Sequence, residues 1–333
     1  MNATKFFESV SKKIDLAEAL ATSTTEVFSG IFRIKIRFAN YALATNYIRA
    51  FLPPQNAQEE FSLTLVSSTD IELSDLIPNP STQSRSYLDN QCFLNWSAGD
   101  YPILYLFDRQ RRRGLVWLAS ETAPAWELSR PGCPLISVAG LNSPWTAVHG
   151  AAIGREGKFL FLAGKGHSGK TTAALSCMRS GWDYAGDDYL YINSLTAMIK
   201  PLYSSARLRD DMAVEFSRLL EQSVRTVSNE FGEIKHELEL SRMMGPKQHR
   251  GGHICAILLP RRKGAQQVEF TPARHADAFH AMFTSTSFAA PGSMKYYAEN
   301  LSKLAACAPV FFVDTGPDAS AIPGEFDQFM KNF

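Results

Sequence analysis

Residues 31–38 read IFRIKIRF, and from Phe32 onwards hydrophobic and charged residues alternate strictly. A period of two puts every second side chain on the same face, so this segment is predicted to be a strand with one solvated face. The first residues of the chain, 1–20, have the spacing of a helix. Residues 40–52 also have helical spacing, which ends at Pro53 and Pro54 because proline cannot continue a helix.

Shorter apolar segments follow in the first part of the chain. Residues 61–66, 103–107 and 115–118 are predicted to be strands, and residues 79–86 are rich in turn formers and are predicted to be a loop. These elements indicate a smaller, mixed α+β amino-terminal domain, residues 1–144. No catalytic group of side chains is recognisable within it.

The pattern changes near Ser143 and Pro144, where short apolar strands begin to alternate with glycine-rich turns and helices. This alternation is typical of an α/β core. We therefore predict a second, α/β domain over residues 145–333. Its predicted strands are residues 158–163, 189–192, 254–259 and 309–313, and its predicted helices are residues 171–180, ending at Gly181, and 275–282.

Composition and charge narrow the class of protein. The 333 residues are 45% hydrophobic and 20% charged, the balance of a globular protein, and the formal net charge is +1. No global field therefore recruits nucleic acid or an anionic membrane. The five scattered cysteines form no Cys-x-x-Cys pair, which argues against a disulfide framework or a zinc site and fits a reducing cytosol. Without a signal peptide or a long apolar run, the chain is expected to be cytoplasmic.

Residues 164–171 read GKGHSGKT and match the pattern of a phosphate-binding loop, with a predicted strand before it and a predicted helix after it. Backbone N–H groups that converge at a helix start solvate triphosphate oxygens, and glycines let the backbone curl around them. Lys170 is expected to reach the β- and γ-phosphates, and Thr171 to offer its hydroxyl to Mg²⁺. The predicted nucleotide-binding residues are Gly164, Lys165, Gly166, His167, Ser168, Gly169, Lys170, Thr171 and Thr172.

Two of these residues have lesser expected roles. His167 is expected to contribute mainly its backbone, and Thr172 to cap or pack the helix.

Asp187 and Asp188 follow this helix and precede the strand at residues 189–192. In a β-α-β unit the strand ends come together near the phosphates. Neighbouring residues of an extended chain point to opposite sides, so one carboxylate is expected to face Mg²⁺ and the other the attacking hydroxyl. Adjacent carboxylates also raise one another's pKa, which favours a catalytic base.

His149 and Gly150 stand ahead of the phosphate-loop strand, so residues 148–192 carry a His-Gly pair, a phosphate loop, a helix and an Asp-Asp pair in that order. In this order they resemble the catalytic core of HPr kinase/phosphorylase and related HPr-kinase-like serine kinases. The resemblance extends through residues 201–208, PLYSSARL, where the family often has lysine in place of Arg207.

The resemblance implies an α/β, HPr-kinase-like P-loop core that acts as a kinase with ATP (or GTP) and Mg²⁺. It implies metal binding by Thr171, Asp187 and Asp188, and activation of the acceptor by the same two aspartates. His149, Lys170 and Arg207 would stand beside the transferred phosphate. The expected acceptor is a serine or threonine hydroxyl of a peptide or small protein.

Two alternatives stay open: a kinase of a sugar or free amino acid, and a nucleotide-dependent switch or binding module. No nucleic-acid or membrane partner is expected. The oligomeric state is open, and a homo-oligomer is one possibility.

Two further segments carry no assigned chemistry. Residues 261–264, RRKG, are predicted to be a solvated turn, with a phosphate clamp as the alternative, and residues 314–316, DTG, end a strand.

Overall fold

A computed structural model of the chain describes residues 3–73, 84–212, 216–221, 223–228, 234–240, 250–261, 263–286 and 294–333. The chain divides into two compact units. One comprises Met1–Asn142 with Ala289–Lys295, and the other Ser143–Phe288 with Tyr296–Phe333. Helices and sheets occur in both units, so the protein is a mixed α/β protein.

The amino-terminal unit is built on one seven-stranded sheet. Its strands are β1 (Ser23–Ser29), β2 (Phe32–Phe38), β3 (Glu59–Ser67), β4 (Arg85–Leu88), β5 (Cys92–Ser97), β6 (Ile103–Asp108) and β7 (Arg113–Leu118). The strand order is β1-β2-β3-β7-β6-β5-β4. The β2, β3 and β7 strands run parallel, and the remaining neighbours pair antiparallel. The helices of this unit are α1 (Ala3–Ala19), α2 (Tyr41–Tyr47), α3 (Ala125–Leu128) and α4 (Cys133–Ala139).

Apolar faces of α1 and the sheet form the core of this unit. Val10 and Ile14 of α1 are fully buried against Leu104, Leu106 and Trp117 of the central strands. Burial alternates along β2, as its sequence pattern predicts. The packing of α1 therefore covers one face of the sheet with apolar side chains.

The carboxyl-terminal unit contains three sheets among its described residues. Their strands are β8 (Trp145–His149), β9 (Ala151–Arg155), β10 (Lys158–Leu162), β11 (Asp183–Gly186), β12 (Tyr189–Asn193), β13 (Ile199–Pro201), β14 (Ser205–Arg209), β15 (Ser223–Ser228), β16 (Ile234–Glu239), β17 (His253–Arg261), β18 (Glu269–Pro272) and β19 (Val310–Asp314). The helices are α5 (Lys170–Arg179), α6 (Ser217–Leu220), α7 (His275–Thr286), α8 (Met294–Ala305) and α9 (Ile322–Met330), and Asp210–Met212 form a 3₁₀ turn.

The main sheet of this unit has the order β11-β9-β10-β17-β19-β18. The β10, β17 and β19 strands run parallel, and β9 pairs antiparallel with both β10 and β11. Because β9 is antiparallel to both of its neighbours, β10 and β11 are parallel to each other. The carboxyl ends of β10, β11, β17 and β19 therefore meet at one edge of the sheet, where open α/β sheets bind their ligands.

The α5 helix connects β10 to β11 and buries its apolar face on the main sheet. Ala173, Ala174 and Leu175 are fully buried in a core shared with Ile153 and Leu160. The α9 helix packs against α5 and adds Ile322 and Phe326 to the same core. This packing fixes the start of α5, and with it the loop before the helix, at the carboxyl edge of the sheet.

Two smaller sheets lie in the same unit, with the orders β13-β12-β8 and β14-β16-β15. Both are antiparallel. In the β14-β16-β15 sheet, Ala206, Leu208 and Leu238 are buried in the core that contains α5. Side chains alternate along a strand, so Arg207 and Arg209 of β14 lie on the other face.

The predicted strands coincide with strands of the structure, although eleven further strands and the helices α8 and α9 were not predicted. Residues 40–52 differ from their prediction. The α2 helix begins after Asn40, whose side chain accepts the Ala42 N–H at 2.9 Å, and it ends at Tyr47. Leu52 then forms a bridge with Phe28, with its N–H donating to the Phe28 carbonyl at 2.9 Å. This strand-like pairing ends the helix earlier than Pro53.

The predicted loop at residues 79–86 differs in part. Residues 79–83 lie outside the described part of the chain. Arg85 and Ser86 belong to β4, which pairs with β5.

Across the residues that the structure describes, no helix is both long and apolar enough to span a lipid bilayer.

Candidate functional site

The segment between β10 and α5 is the one that the sequence predicts to be a phosphate-binding loop. Gly164, His167 and Gly169 have φ values of 157°, 64° and 100°, which fold the chain back on itself before the helix. Gly169 is the residue at the amino end of α5, and no side chain from the described ranges caps that end. Unpaired N–H groups at a helix start are a favourable site for anionic groups.

Lys170, the first residue of α5, folds back over this loop. Lys170 is buried, with 5% of the residue exposed. The Nζ donates to the carbonyls of Gly164 and Lys165 at 2.7 and 3.0 Å. Burial lowers the pKa of Lys170 below its ordinary value, whereas the charges of Asp188 and Asp187 raise it. The ammonium group is therefore held at the centre of the loop.

Ser168 provides a test of whether the loop fits a phosphate. Its Oγ is buried and has no hydrogen-bond partner among the described residues. A Cβ at Gly164 would lie 3.1 Å from this oxygen, so glycine keeps the space beside it open. Buried hydroxyls normally have a partner. A phosphate oxygen in the loop would supply one, and the residues present fit such a group.

Asp187 lies between β11 and β12, close to the start of α5. It is 6% exposed. Burial and, after it, the charge of Asp188 raise the pKa of Asp187 to about 6, against the opposing effect of a hydrogen bond from Thr171. This contact joins the carboxylate to the hydroxyl that the loop motif assigns to Mg²⁺.

Asp188 points to two different partners. Its Oδ1 lies 3.1 Å from Nδ1 of His149, and its Oδ2 accepts from Nη2 of Arg207 at 2.5 Å. Each of the three side chains is about one-fifth exposed. A carboxylate acceptor requires the proton of His149 on Nδ1, which fixes the orientation of the ring. The Asp188 carboxylate is therefore held by donors on both sides.

Strand pairing brings His149 to Asp188. His149 ends β8 and stands opposite Tyr189, the first residue of β12, in the antiparallel register. The Gly150 N–H donates to the Asp188 carbonyl at 3.0 Å, and the His149 N–H donates to the Thr286 hydroxyl at 3.2 Å. Strand pairing and this hydrogen bond therefore hold His149 and Gly150 beside the backbone of Asp188.

Gly150 has a second reason to be glycine. A Cβ at this position would lie 2.5 Å from the Phe161 ring and 2.8 Å from the Leu162 carbonyl. Both residues belong to β10, the strand that leads into the phosphate loop. Close packing of the two segments therefore excludes any side chain here.

Arg209 is a site residue that sequence reasoning missed. Its guanidinium contacts the His167 ring in the phosphate loop. Arg207 and Arg209 are two residues apart in β14, so they share a face of that sheet. The spacing of two arginines at positions i and i+2 could have indicated in the sequence that Arg209 lies on the same face as Arg207. His167, which was expected to contribute mainly its backbone, has a side-chain contact as well.

The structure brings most of the predicted site residues together. Lys170, Thr171, Asp187, Asp188, His149 and Arg207 form one connected group around the start of α5. Thr172 points elsewhere, with its Oγ1 3.9 Å from the Met212 sulfur. Among the described residues, no three His, Cys, Asp or Glu side chains converge to hold a metal ion unaided. Magnesium commonly takes one or two carboxylates and completes its shell with phosphates and water, so Thr171 and Asp187 fit it.

Comparison with known proteins adds little to this geometry. No family model matches the sequence. No curated protein matches it. Among solved structures, the chain is similar to the HPr(Ser) kinase/phosphatase from Coxiella burnetii, with a TM-score of 0.26 and 7% sequence identity over 56% of this chain and 95% of that chain.

Proposed function

We propose that the protein is an ATP-dependent phosphotransferase with an HPr-kinase-like P-loop core, which moves a γ-phosphate to a hydroxyl group. One observation carries this proposal. The Asp188 carboxylate, oriented by His149 and Arg207, lies in the same cluster as the loop lysine Lys170 and the buried Asp187. Phosphoryl transfer requires a phosphate cradle and an acceptor-activating group side by side.

The loop residues bind and orient the triphosphate. Backbone N–H groups at the start of α5 donate to phosphate oxygens, and the Lys170 ammonium group exchanges its contacts with two carbonyls for contacts with the phosphates. The Ser168 hydroxyl gains the partner that it lacks within the described chain. Each of these donors meets negative charge that spreads over the equatorial oxygens during transfer.

Thr171 and Asp187 would hold Mg²⁺, because a hydroxyl and a carboxylate already lie in contact there. When bound, the ion neutralises charge on the phosphate oxygens. A pKa of about 6 leaves Asp187 mostly ionised at neutral pH, the form that a metal requires.

Asp188 orients the acceptor hydroxyl and takes its proton. His149 and Arg207 hold the two carboxylate oxygens in position, so the side chain loses little freedom when the acceptor arrives. The Arg207 guanidinium and the His149 N–H remain beside the carboxylate while the proton and its charge move. Arg209, beside His167, adds positive charge on the loop side.

The acceptor that we propose is a serine or threonine hydroxyl of a peptide or small protein. The order of His149-Gly150, the phosphate loop and Asp187-Asp188 along the sequence supports this choice through its likeness to HPr-kinase-like serine kinases. A free sugar or amino acid would use the same chemistry, so the experiment must offer both classes of acceptor.

The test uses ATP labelled in the γ-phosphate, Mg²⁺ and two acceptor pools, one of serine- and threonine-containing peptides and proteins, the other of free sugars and amino acids. We expect transfer to the first pool. Asp188→Asn should lower the transfer rate by about 10²–10⁴-fold while ATP still binds, because the amide cannot take a proton. The exposed Asp100→Asn is the matched control and should behave as the parent.

Two outcomes oppose the proposal. Label found only in free sugars or amino acids would replace the acceptor class. Equal transfer by Asp188→Asn and the parent would remove Asp188 from the mechanism.

A further inference from the structure

A histidine in the β14-β16-β15 sheet joins a threonine hydroxyl to a carboxylate. The Thr226 hydroxyl lies 3.1 Å from Nδ1 of His236, and Nε2 of His236 lies 2.9 Å from Oδ1 of Asp210. Thr226 of β15 and His236 of β16 are cross-strand partners, and Asp210 directly follows β14. The three side chains therefore form one hydrogen-bonded line across the sheet.

The direction of these hydrogen bonds prepares the threonine as a nucleophile. An ionised carboxylate can only accept, so the neutral His236 ring carries its proton on Nε2, towards Asp210. Nδ1 then accepts a hydrogen bond from the Thr226 hydroxyl. A hydroxyl beside a histidine that a third group orients is the arrangement that activates serine and threonine nucleophiles in enzymes.

Thr226 is open to a macromolecular partner, whereas its histidine is held in place. Thr226 is exposed in β15, which lies at an edge of its sheet, and the His236 side chain is 15% exposed. Nη1 of Arg225, the preceding residue, lies 3.7 Å from Oε2 of the buried Glu237 in β16. This ion pair helps to hold β15 in its register on β16.

The position of Thr226 in the sheet separates it from the phosphate loop of its own chain. Arg207 and Arg209 reach the catalytic cluster and the loop from one face of β14. His236 pairs with both Leu208 and Thr226, so Thr226 belongs to the opposite face, the face of Leu208. Two strand spacings, about 10 Å, also lie between β15 and β14. A phosphate in the loop of another copy can approach this exposed edge directly.

We propose that Thr226 is a phosphorylation site of this chain and that a second copy of the chain donates the phosphate, an inference that rests on the proposed function. The Thr226 oxygen forms a bond to the γ-phosphorus, the bond from that phosphorus to the β–γ bridging oxygen breaks, and the nucleoside diphosphate leaves. Nδ1 of His236 takes the hydroxyl proton, and the Asp210 carboxylate stabilises the imidazolium that results. This acceptor therefore carries its own base.

The test mixes two variants of the full chain with Mg-ATP labelled in the γ-phosphate. Lys170→Ala lacks the ammonium group of the loop and keeps the acceptor, and Thr226→Val keeps the loop and lacks the acceptor. An affinity tag on one variant separates the two chains, and tandem mass spectrometry locates the phosphate. We expect label on Thr226 of Lys170→Ala in the mixture only, and transfer to peptides by Thr226→Val at the rate of the parent.

Further variants test the base and the acceptor. His236→Gln should lower the phosphorylation of Thr226 in the same chain by about 10²-fold or more and leave transfer to peptides unchanged. Thr226→Ser should keep the label, as phosphoserine. Thr24→Val is the matched control, because Thr24 is an exposed threonine of the edge strand β1 whose cross-strand partner is Arg37. It should be labelled as the parent is.

Each contrary result removes a defined part of the inference. A parent that phosphorylates peptides and leaves Thr226 unmodified overturns the inference and leaves the proposed function standing. Labelling of Lys170→Ala alone at the level of the mixture overturns the role of a second copy. Equal labelling of His236→Gln and the parent overturns the role of the histidine. A parent that phosphorylates neither peptides nor its own chain refutes the proposed function as well.

Discussion

At the scale of single residues, two neighbouring aspartates have different environments. Asp187 is buried against Thr171, whereas Asp188 is held between His149 and Arg207. Different surroundings allow two like side chains to take different roles in one reaction. The proposed division into a metal ligand and an acceptor-activating group follows from these contacts.

A third acid, Glu127, is buried in the amino-terminal unit and has a structural role. Its carboxylate accepts the hydroxyls of Tyr47 and Tyr105 at 2.6 and 2.5 Å and the Gly132 N–H at 2.8 Å. Burial raises the pKa of Glu127 from 4.5 to about 6, against the opposing hydrogen bonds from the two tyrosines. These donors connect α2, β6 and α3.

We predict a pH effect from Glu127. The folded pKa exceeds the unfolded value, so the folded state binds the proton more tightly. The contribution of this group to stability therefore falls as the pH rises from 4.5 to 6, by about 2 kcal/mol in total. Glu127→Gln should lose this dependence in urea unfolding measured across that range.

The exposed Glu121→Gln is the control for Glu127 and should keep the dependence of the parent. If the free-energy difference between the parent and Glu127→Gln were constant with pH, the raised pKa would be refuted.

At the scale of elements, a pair of strands builds the site. The β8 and β12 strands align His149 with the aspartate pair, and the following Gly150 packs on the strand that enters the phosphate loop. A disturbance at Gly150 therefore reaches both the catalytic cluster and the loop.

We predict that Gly150→Ala destabilises the protein by about 1–3 kcal/mol, because the new methyl group meets a ring and a backbone carbonyl that cannot both yield. It should also weaken ATP binding. Gly324→Ala, in α9 with open space around its α-carbon, is the control and should be neutral or stabilise by up to about 1 kcal/mol. Urea unfolding measures both, and equal stability of Gly150→Ala and the parent would contradict the packing argument.

At the scale of the whole molecule, the features that could be predicted from the sequence are those that depend on residues close together in the chain. The phosphate loop is a continuous segment with a strand before and a helix after, and its pattern is local. The contacts of Arg209 and Asp314 could not be predicted from the sequence, because each contact joins two distant segments of the chain. Arg209 reaches a loop 42 residues away, and Asp314 contacts Lys263 across 51 residues. No local period records such pairings.

Length and composition indicated a globular protein with a sizeable core, the alternation of strands and helices indicated an α/β core, and the structure is mixed α/β. The proposed chemistry concentrates in the carboxyl-terminal unit, where the parallel strands of the main sheet end. The central claim for the molecule is that the loop at this edge holds a nucleoside triphosphate. Every step proposed for the aspartates depends on it.

The most direct test is the dissociation constant of Mg-ATP for the parent and for Lys170→Ala, with Lys303→Ala as a control from an exposed ion pair in α8. Lys170 should contribute a charge-assisted contact to the phosphates, so its loss is predicted to weaken binding by about 10–150-fold, with Lys303→Ala unchanged. Equal affinity of Lys170→Ala and the parent, both folded, would contradict the account.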